Sequence, residues 1–343
     1  MAGTGARGGR KTGPSIADVA RLAGVSAQTV SRVSTGRETV APDTRARVLQ
    51  AMEQLSYSPN RAARALRDGR YGAIGLLAHR FNRTGEALTT DAILRAAEAE
   101  DYTVTLLTVA ATTAEEWRPA TQRLQHQTVD GIILIRAEGG PDDPLGIPPT
   151  MPVAVSDSRA HGRYPHVVSD EFGGVVAATR HLLELGHRTV HHLAGPLDSE
   201  PARLRRAAWR STLERAGLRA PDPLVGDWTP ESGLALGRAL AADPSVTAVL
   251  CANDEMAFGV LRALHEAGRA VPHDVSVVGF DGIALSDFTG PPLTTVKQDF
   301  PRMGRELVRI VLSQIGQPRH AALEDVLLPT ELVVRGTTAP PPA

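Results

Sequence analysis

The sequence predicts two fold classes in one chain: an all-α helix-turn-helix head, then an α/β core of doubly wound parallel sheets in two lobes. Three observations carry this. Residues 15–34 set apolar positions at helical spacing around a three-residue turn. From Tyr71 onward, apolar runs of strand length alternate with helical patterns, the order that lays a parallel sheet between helices. The charge divides at the same place. Residues 1–70 hold 12 Lys+Arg against 5 Asp+Glu, a net of +7; residues 71–343 hold 25 against 33, a net of −8.

Residues 1–14 are Gly- and Arg-rich without an apolar period and read as a disordered tail. Ser15 and Asp18 form an S-x-x-D capping box. Ile16, Val19, Ala20 and Ala23 follow at helical spacing, and Gly24 stops the helix by taking the left-handed conformation. Ser26 caps a second helix with Val30 and Val33 turned inward. A third begins at Pro42, with Val48, Met52 and Leu55 on its buried side. The head thus spans 15–58. The Ala/Arg segment within 59–70 has little apolar surface and reads as a linker that orders only on binding.

Strand runs then appear at 73–78, 102–108, 130–135, 152–156, 189–195, 247–254 and 275–281. Helical patterns fall at 86–100, 171–186, 201–217, 230–241, 254–267 and 300–315. A core of 71–336 is large for one sheet, so two lobes are expected: 71–166 with 299–325, and 167–294 with 326–336. The Pro-rich end, 337–343, reads as a disordered tail.

Composition excludes several classes. At ~100–200 residues per domain, 343 residues imply two or three domains. No apolar run reaches the ~18 residues of a membrane span, and the N-terminus lacks the apolar core of a secretory signal. One cysteine, Cys251, rules out an internal disulfide framework. A cytoplasmic location, with no membrane partner, is expected. No Walker A, G-x-S-x-G or H-E-x-x-H motif occurs, so neither an enzyme nor a cofactor is expected. His191 and His192 are strand neighbours that point to opposite faces, so no metal site is expected there. Cys251 reads as a small core residue.

In the head, the loop Gly24-Val25-Ser26 joins two short helices, the grammar of a helix-turn-helix. The N-terminal end of the second helix enters the major groove in such motifs. Gln28 suits adenine and Arg32 guanine, since each offers two-point hydrogen bonding. Ser26, Thr29 and Ser31 suit phosphate oxygens. In the core, several strands end in polar groups, where open α/β sheets bind ligands: His79-Arg80, Asp157, Asn253-Asp254 and Asp281. Arg205 and Trp228 join them. Carboxylates accept from neighbouring hydroxyls, Arg donates a fork, and an indole covers an apolar sugar face. The set suits a sugar. Asp254 reads rather as the N-cap of helix 254–267 than as a ligand contact, and Trp228 equally as core.

Residues 15–70, through DVARLAGVSAQTVSRV and YSPNRAARAL, closely resemble the head of LacI/GalR-type transcriptional repressors. The core stretches AGPLDSEPARLRRAAW, GDWTPESG, CANDEMAFG, VSVVGFD and PPLTTVKQDF resemble the family's lactose-responsive members. The resemblance implies a periplasmic-binding-protein-like two-lobed core. It implies a hinge helix at 59–70 that folds on DNA, with Leu66 wedged into the minor groove and Asn60, Arg61 and Ala63 against backbone or groove. Ala27 replaces a tyrosine at a base-reading position. Arg205, Asn253 and Asp281 become sugar-hydroxyl partners, Trp228 the stacking aromatic, and Asp157 a first-lobe acid. Gln298 and Phe300 sit where the chain crosses between lobes. Pro201 stands where a pocket serine is expected, and LLAHRFN (76–82) makes a more polar lip. The leucine-rich tail of tetrameric members is replaced by TTAPPPA, implying a homodimer.

The expected function is repression of carbohydrate-utilisation genes from a pseudo-palindromic operator, to which the protein stays bound at the nucleoid. Release comes through a small saccharide or glycoside, a β-galactoside among them. A purine-like or phosphorylated corepressor is the alternative, although 13 Phe, Trp and Tyr include no clustered pair to sandwich a base. A sugar-binding or transport protein without DNA function is a third reading.

Overall fold

The computed structural model describes residues 13–34, 40–57, 70–78, 83–108, 119, 122–123, 128–135, 147–148, 150–156, 159, 162–316 and 324–342. The chain divides into two units, 1–71 and 72–343. Among the described residues, no helix is long and apolar enough to cross a membrane.

The head contains α1 (Ile16–Ala23), α2 (Ala27–Ser34) and α3 (Pro42–Gln54). The Ser15–Asp18 box is present in both directions: the Asp18 amide donates to Ser15 Oγ at 3.3 Å, and the Ser15 amide to Asp18 Oδ2 at 3.0 Å. Gly24 ends α1 at φ +67°, a conformation that costs a Cβ-bearing residue roughly 1 kcal/mol. Ser26 Oγ accepts from the Thr29 amide and so starts α2. Val19, Ala20, Val30, Val33, Val48 and Met52 close one small core, with Ile16 and Leu55 half-buried at its edge.

The larger unit holds two six-stranded sheets. The first runs β11-β5-β4-β3-β1-β2, with β1 (Ala73–Ala78), β2 (Thr103–Thr108), β3 (Gly131–Ile135), β4 (Val153–Ser156), β5 (His166–Ser169) and β11 (Asp325–Leu328), all parallel. The second runs β12-β10-β9-β8-β6-β7, with β6 (His191–Ala194), β7 (Leu224–Val225), β8 (Ala248–Cys251), β9 (Ser276–Asp281), β10 (Thr294–Lys297) and β12 (Glu331–Val333). Only β12 is antiparallel to its neighbour.

Helices α4 (Thr84–Ala99) and α9 (Phe300–Gln314) cover one face of the first sheet through Ile93, Met303 and Leu307. Helices α5 (Glu171–Glu184) and α6 (Glu200–Arg215) cover one face of the second, where Leu182 and Trp209 meet Leu250 and Phe280. Helices α7 (Pro230–Ala242) and α8 (Asp254–Glu266) cover the other, where Val260 and Leu264 meet Val249 and Cys251. Within β8 the two-residue alternation thus feeds two cores, which explains why all four of its residues are apolar.

Three expectations need correction. First, the lobe boundaries move. Strand β5 completes the first sheet, so the chain crosses at Asp170 rather than at 166. The run VLLPTELVV breaks at Pro329–Thr330, placing β11 in the first sheet and β12 in the second. Proline has no amide to donate to a ladder and holds φ at about −65°, which favours a break of the strand there.

Second, the C-terminal segment is ordered through Pro342. Thr337 is wholly buried: its carbonyl accepts from the Val277 amide at 2.8 Å, and its Oγ1 accepts from the Thr294 amide at 2.8 Å. The same Oγ1 donates to the Val277 carbonyl at 2.6 Å. The Ala339 amide donates to Ser276 Oγ at 3.0 Å. Low hydrophobicity misled because the segment docks through backbone groups. Deleting 337–343 is expected to lower the unfolding free energy by about 2–4 kcal/mol in a urea titration, since several buried partners lose hydrogen bonds. An unchanged midpoint would show that the docking is not stabilising.

Third, Asp254 is not the cap of α8. Asn253 is, its Oδ1 accepting from the Met256 amide at 3.0 Å. Asp254 is buried and accepts from Thr295 Oγ1 (2.5 Å), Ser286 Oγ (2.8 Å) and the Ile283 amide (2.9 Å).

Candidate functional site

The head presents the start of α2 as an exposed edge. Ser26, Ala27, Gln28 and Arg32 are exposed, while Thr29 and Ser31 are half-buried. Ser26 and Thr29 also share a side-chain hydrogen bond of 2.9 Å, so these hydroxyls brace the helix start as well as facing outward. Asn60, Arg61, Ala63 and Leu66 lie outside the described residues, as do His79, Arg80 and Asp157 of the first-lobe lip.

A cavity of about 390 Å³ lies between the lobes, where the carboxyl ends of both sheets face each other. It gathers six of the described core residues singled out from the sequence, Arg205, Trp228, Asn253, Asp281, Gln298 and Phe300, but not Asp254. Pro201 lines it too.

Arg205 is the centre of the site. From the first turns of α6 it is almost wholly buried. Its Nε donates to Glu171 Oε2 at 2.5 Å, and Nη1 donates to the Ala252 carbonyl. Nη2 stands 3.5 Å from Asp281 Oδ1. The guanidinium carbon lies 3.7 Å from the Phe280 ring centroid and 5.5 Å from that of Trp228. Burial opposes its charge, but Glu171 and Asp281 outweigh that and hold its pKa above the ordinary value.

Asp281 ends β9 with left-handed backbone, φ +115°, and accepts from Gln298 Nε2 at 2.8 Å. Burial pushes its carboxyl up to about 8; Arg205 pulls down, while Asp254 and Glu171 push further up. Asp254 is likewise raised by burial, to about 6, against its three donors.

Trp228 lines the cavity, yet is 9% exposed and joins the core under α8. Its ring packs against Gly195, where a Cβ would come within 2.5 Å of the indole. The Trp228 carbonyl accepts from Asn253 Nδ2 at 3.0 Å. Asn253 therefore spends both ends of its amide on structure, holding the helix start and the tryptophan loop together. Phe300 opens α9, which Asp299 caps through the Arg302 amide at 2.9 Å.

The N-terminal ends of α4, α5, α6, α8 and α9 all reach this cavity, so it is framed by backbone amides and first-turn side chains.

Comparison with known proteins agrees with this architecture. Residues 15–60 match the family described as bacterial regulatory proteins, lacI family, and residues 179–338 match the periplasmic binding protein-like domain. The HTH-type transcriptional repressor PurR of Haemophilus influenzae (strain PittEE) is 35% identical over 308 residues, 88% of this chain and 90% of that protein. The chain belongs to the lacI family. It is a lacI-family transcriptional repressor, with a helix-turn-helix head and a two-lobed α/β core. The crystal structure of the Lac repressor dimer bound to operator and the anti-inducer ONPF superposes with a TM-score of 0.82 at 34% identity, covering 96% of this chain and 100% of that one. A transcriptional regulator CelR–cellobiose complex gives 0.69 at 32%, covering 94% and 99%.

The cavity of this lacI-family repressor also contains residues that sequence reading did not single out. Glu171 and Phe172 follow β5, whose four residues (HVVS) are too short a run to mark as a strand. Arg83, Thr84 and Glu86 start α4; Ser199 and Glu200 start α6; Glu255 starts α8. The signal available was positional: each lies within three residues of a helix start that follows a strand. Thr84 Oγ1 donates to Glu255 Oε1 at 2.5 Å, a hydrogen bond from the first lobe to the second. Among the described residues no group of His, Cys, Asp and Glu is arranged to hold a metal. His192 is buried, its Nδ1 against the Leu250 carbonyl, and burial lowers its pKa to about 4.

Proposed function

We propose that the protein represses carbohydrate-utilisation genes as a homodimer on a pseudo-palindromic operator, and that a small neutral-bodied saccharide in the interlobe cavity releases it. One observation carries the reading: the buried Arg205–Glu171–Asp281–Gln298 network beside Trp228. It joins a cation, two carboxylates and an amide to an aromatic wall, the donor and acceptor mixture that hydroxyl pairs on an apolar ring require. The named relatives support it. One superposing structure is a repressor dimer bound to operator, and another is a regulator holding cellobiose.

Release follows if the sugar binds more tightly to the DNA-free arrangement of the lobes. Couplings of this kind are typically ~1–3 kcal/mol. The test is a gel shift on operator DNA with a panel containing cellobiose, lactose and other β-glycosides. Weakened operator binding supports the reading. A purine or sugar phosphate that instead tightens it would establish the corepressor alternative.

In the head, Arg32→Ala is expected to weaken operator binding by about 1–3 kcal/mol while sparing binding to random DNA. Fluorescence anisotropy on both DNAs measures this, and equal losses would mean Arg32 contacts phosphate rather than a base.

A further inference from the structure

The described wall of the cavity is polar in one part and apolar in another. Arg205 meets Asp281, Gln298 and Asn253 around the carboxyl ends of β8, β9 and β10. A second corner forms where β5 and β11 lie side by side. Val168 and Leu327 are register partners on these two parallel strands. Phe172 stands in the first turn of α5, directly after β5. Pro201 and Leu204, three residues apart, share one face of α6, and Arg205 follows a turn after Pro201. All five of these apolar residues line the cavity. Leu327 is 63% exposed and Phe172 37%, and the other three are half-buried, so the corner is open to a ligand.

The polar residues around this corner are engaged elsewhere. Asp170 caps α5 through the Gly173 amide at 2.8 Å, Glu171 holds Arg205, and Glu200 pairs with Arg203 at 2.5 Å. The hydroxyls of Ser169 and Ser199 are shut away from solvent. The corner therefore presents carbon to whatever enters it. A free sugar carries hydroxyls all round its ring. Hydroxyls placed against this corner would lose their water without gaining partners. The matching molecule has hydroxyls at one end and an apolar group at the other. Val168 and Leu327 belong to the first lobe, and Phe172, Pro201 and Leu204 to the second. An apolar group buried among them thus also favours the approach of the two lobes.

We propose that the natural effector is a glycoside with an apolar aglycone, an aryl or branched alkyl group seated among Val168, Phe172, Pro201, Leu204 and Leu327. This rests on the saccharide reading and sharpens it: the Arg205–Asp281 end takes the sugar, and the β5–β11 corner takes the aglycone. Free monosaccharides leave that corner unfilled, and disaccharides bring a second polar ring against it.

The experiment is calorimetric titration of the full-length protein with two series of ligands. One holds methyl β-glucoside, phenyl β-glucoside and cellobiose; the other holds methyl β-galactoside, phenyl β-galactoside and lactose. In at least one series the phenyl form is expected to bind about tenfold tighter than the methyl form, and tighter than the disaccharide, because the ring removes more apolar surface from water. The double variant Phe172→Ser, Leu327→Ser is expected to bring the phenyl-to-methyl ratio to within about twofold, whereas Leu327→Met retains most of it. If sugars bind and neither phenyl form gains fivefold on its methyl partner, or the disaccharide outbinds the phenyl form in each series that binds, the proposal is wrong while the saccharide reading stands. If no member of either series binds at millimolar concentration, both are wrong. A phenyl-to-methyl ratio that survives the double variant overturns the assignment of this corner. Both substituted side chains are exposed, and the first comparison uses the unaltered protein, so the test does not depend on how a variant folds.

Discussion

Replacing Arg205 by Met is expected to lower the unfolding free energy by about 3–5 kcal/mol and to abolish sugar binding. The shape of the side chain is largely kept, but Glu171 and Asp281 lose their shared cation inside the fold, and an uncompensated buried carboxylate costs this much. The Ala252 carbonyl also loses its donor. Urea denaturation at several pH values checks the cause as well as the size. If electrostatics dominate, the deficit shrinks as the pH falls and the stranded carboxyls take up protons. A deficit independent of pH would instead assign the loss to packing against Phe280 and Trp228.

Asp281→Asn is expected to have the second largest effect, confined to ligand response. Above about pH 8, where the folded carboxyl is ionised, hydrogen bonds to this charged acceptor contribute about 1.5–3 kcal/mol, so sugar affinity should there fall by roughly 10- to 150-fold. Operator binding should remain, giving a repressor that no longer releases. The stability consequence has a definite sign. Unfolded, Asp281 ionises near 3.8; folded, only near 8. Between those values the folded chain holds a proton that the unfolded chain does not. The contribution is therefore full below about pH 4 and declines as the pH rises toward 8. The Asn variant removes this decline, so it should gain on the parent as the pH is raised over that interval. Normal sugar release by the variant would place Asp281 outside the ligand contacts.

The two kinds of loss differ for a structural reason. Arg205 ties together Glu171 on α5, Ala252 after β8 and Asp281 at the end of β9, so its removal loosens the second lobe itself. Asp281 lies at the end of one strand, with Gln298 as its second tether. Its substitution by an isostere leaves the framework and changes what the cavity offers.

Particular residues show where sequence reading was sufficient. The capping box at Ser15–Asp18, the stop at Gly24 and the apolar β8 run are local signals: each is decided within four or five residues by backbone sterics, side-chain periodicity and which amides lack partners. Long apolar strands and amphipathic helices were legible for the same reason. The charge division at residue 70 marked the junction of head and core, because charge is a property of composition and needs no contacts.

What failed depended on partners distant in sequence. β5 and β10 are strands because neighbouring strands pair with them, although four residues each carry little pattern of their own. TTAPPPA looks disordered until Val277, Thr294 and Ser276 supply backbone and hydroxyl partners some 40–60 residues away. Asn253 takes the cap expected of Asp254, while only the folded neighbourhood brings Ile283, Ser286 and Thr295 onto Asp254.

By itself, then, the sequence determined the fold classes, the order of most elements, the family and six residues of the cavity wall, because short-range sterics and periodicity encode them. Only the tertiary structure decided where the lobes exchange the chain, that the C-terminus is docked, and that Glu171 and Glu255 join the site. Those depend on which strand ends face one another across the cleft, and on a buried charge balance that exists only after distant carboxylates have been brought around one arginine.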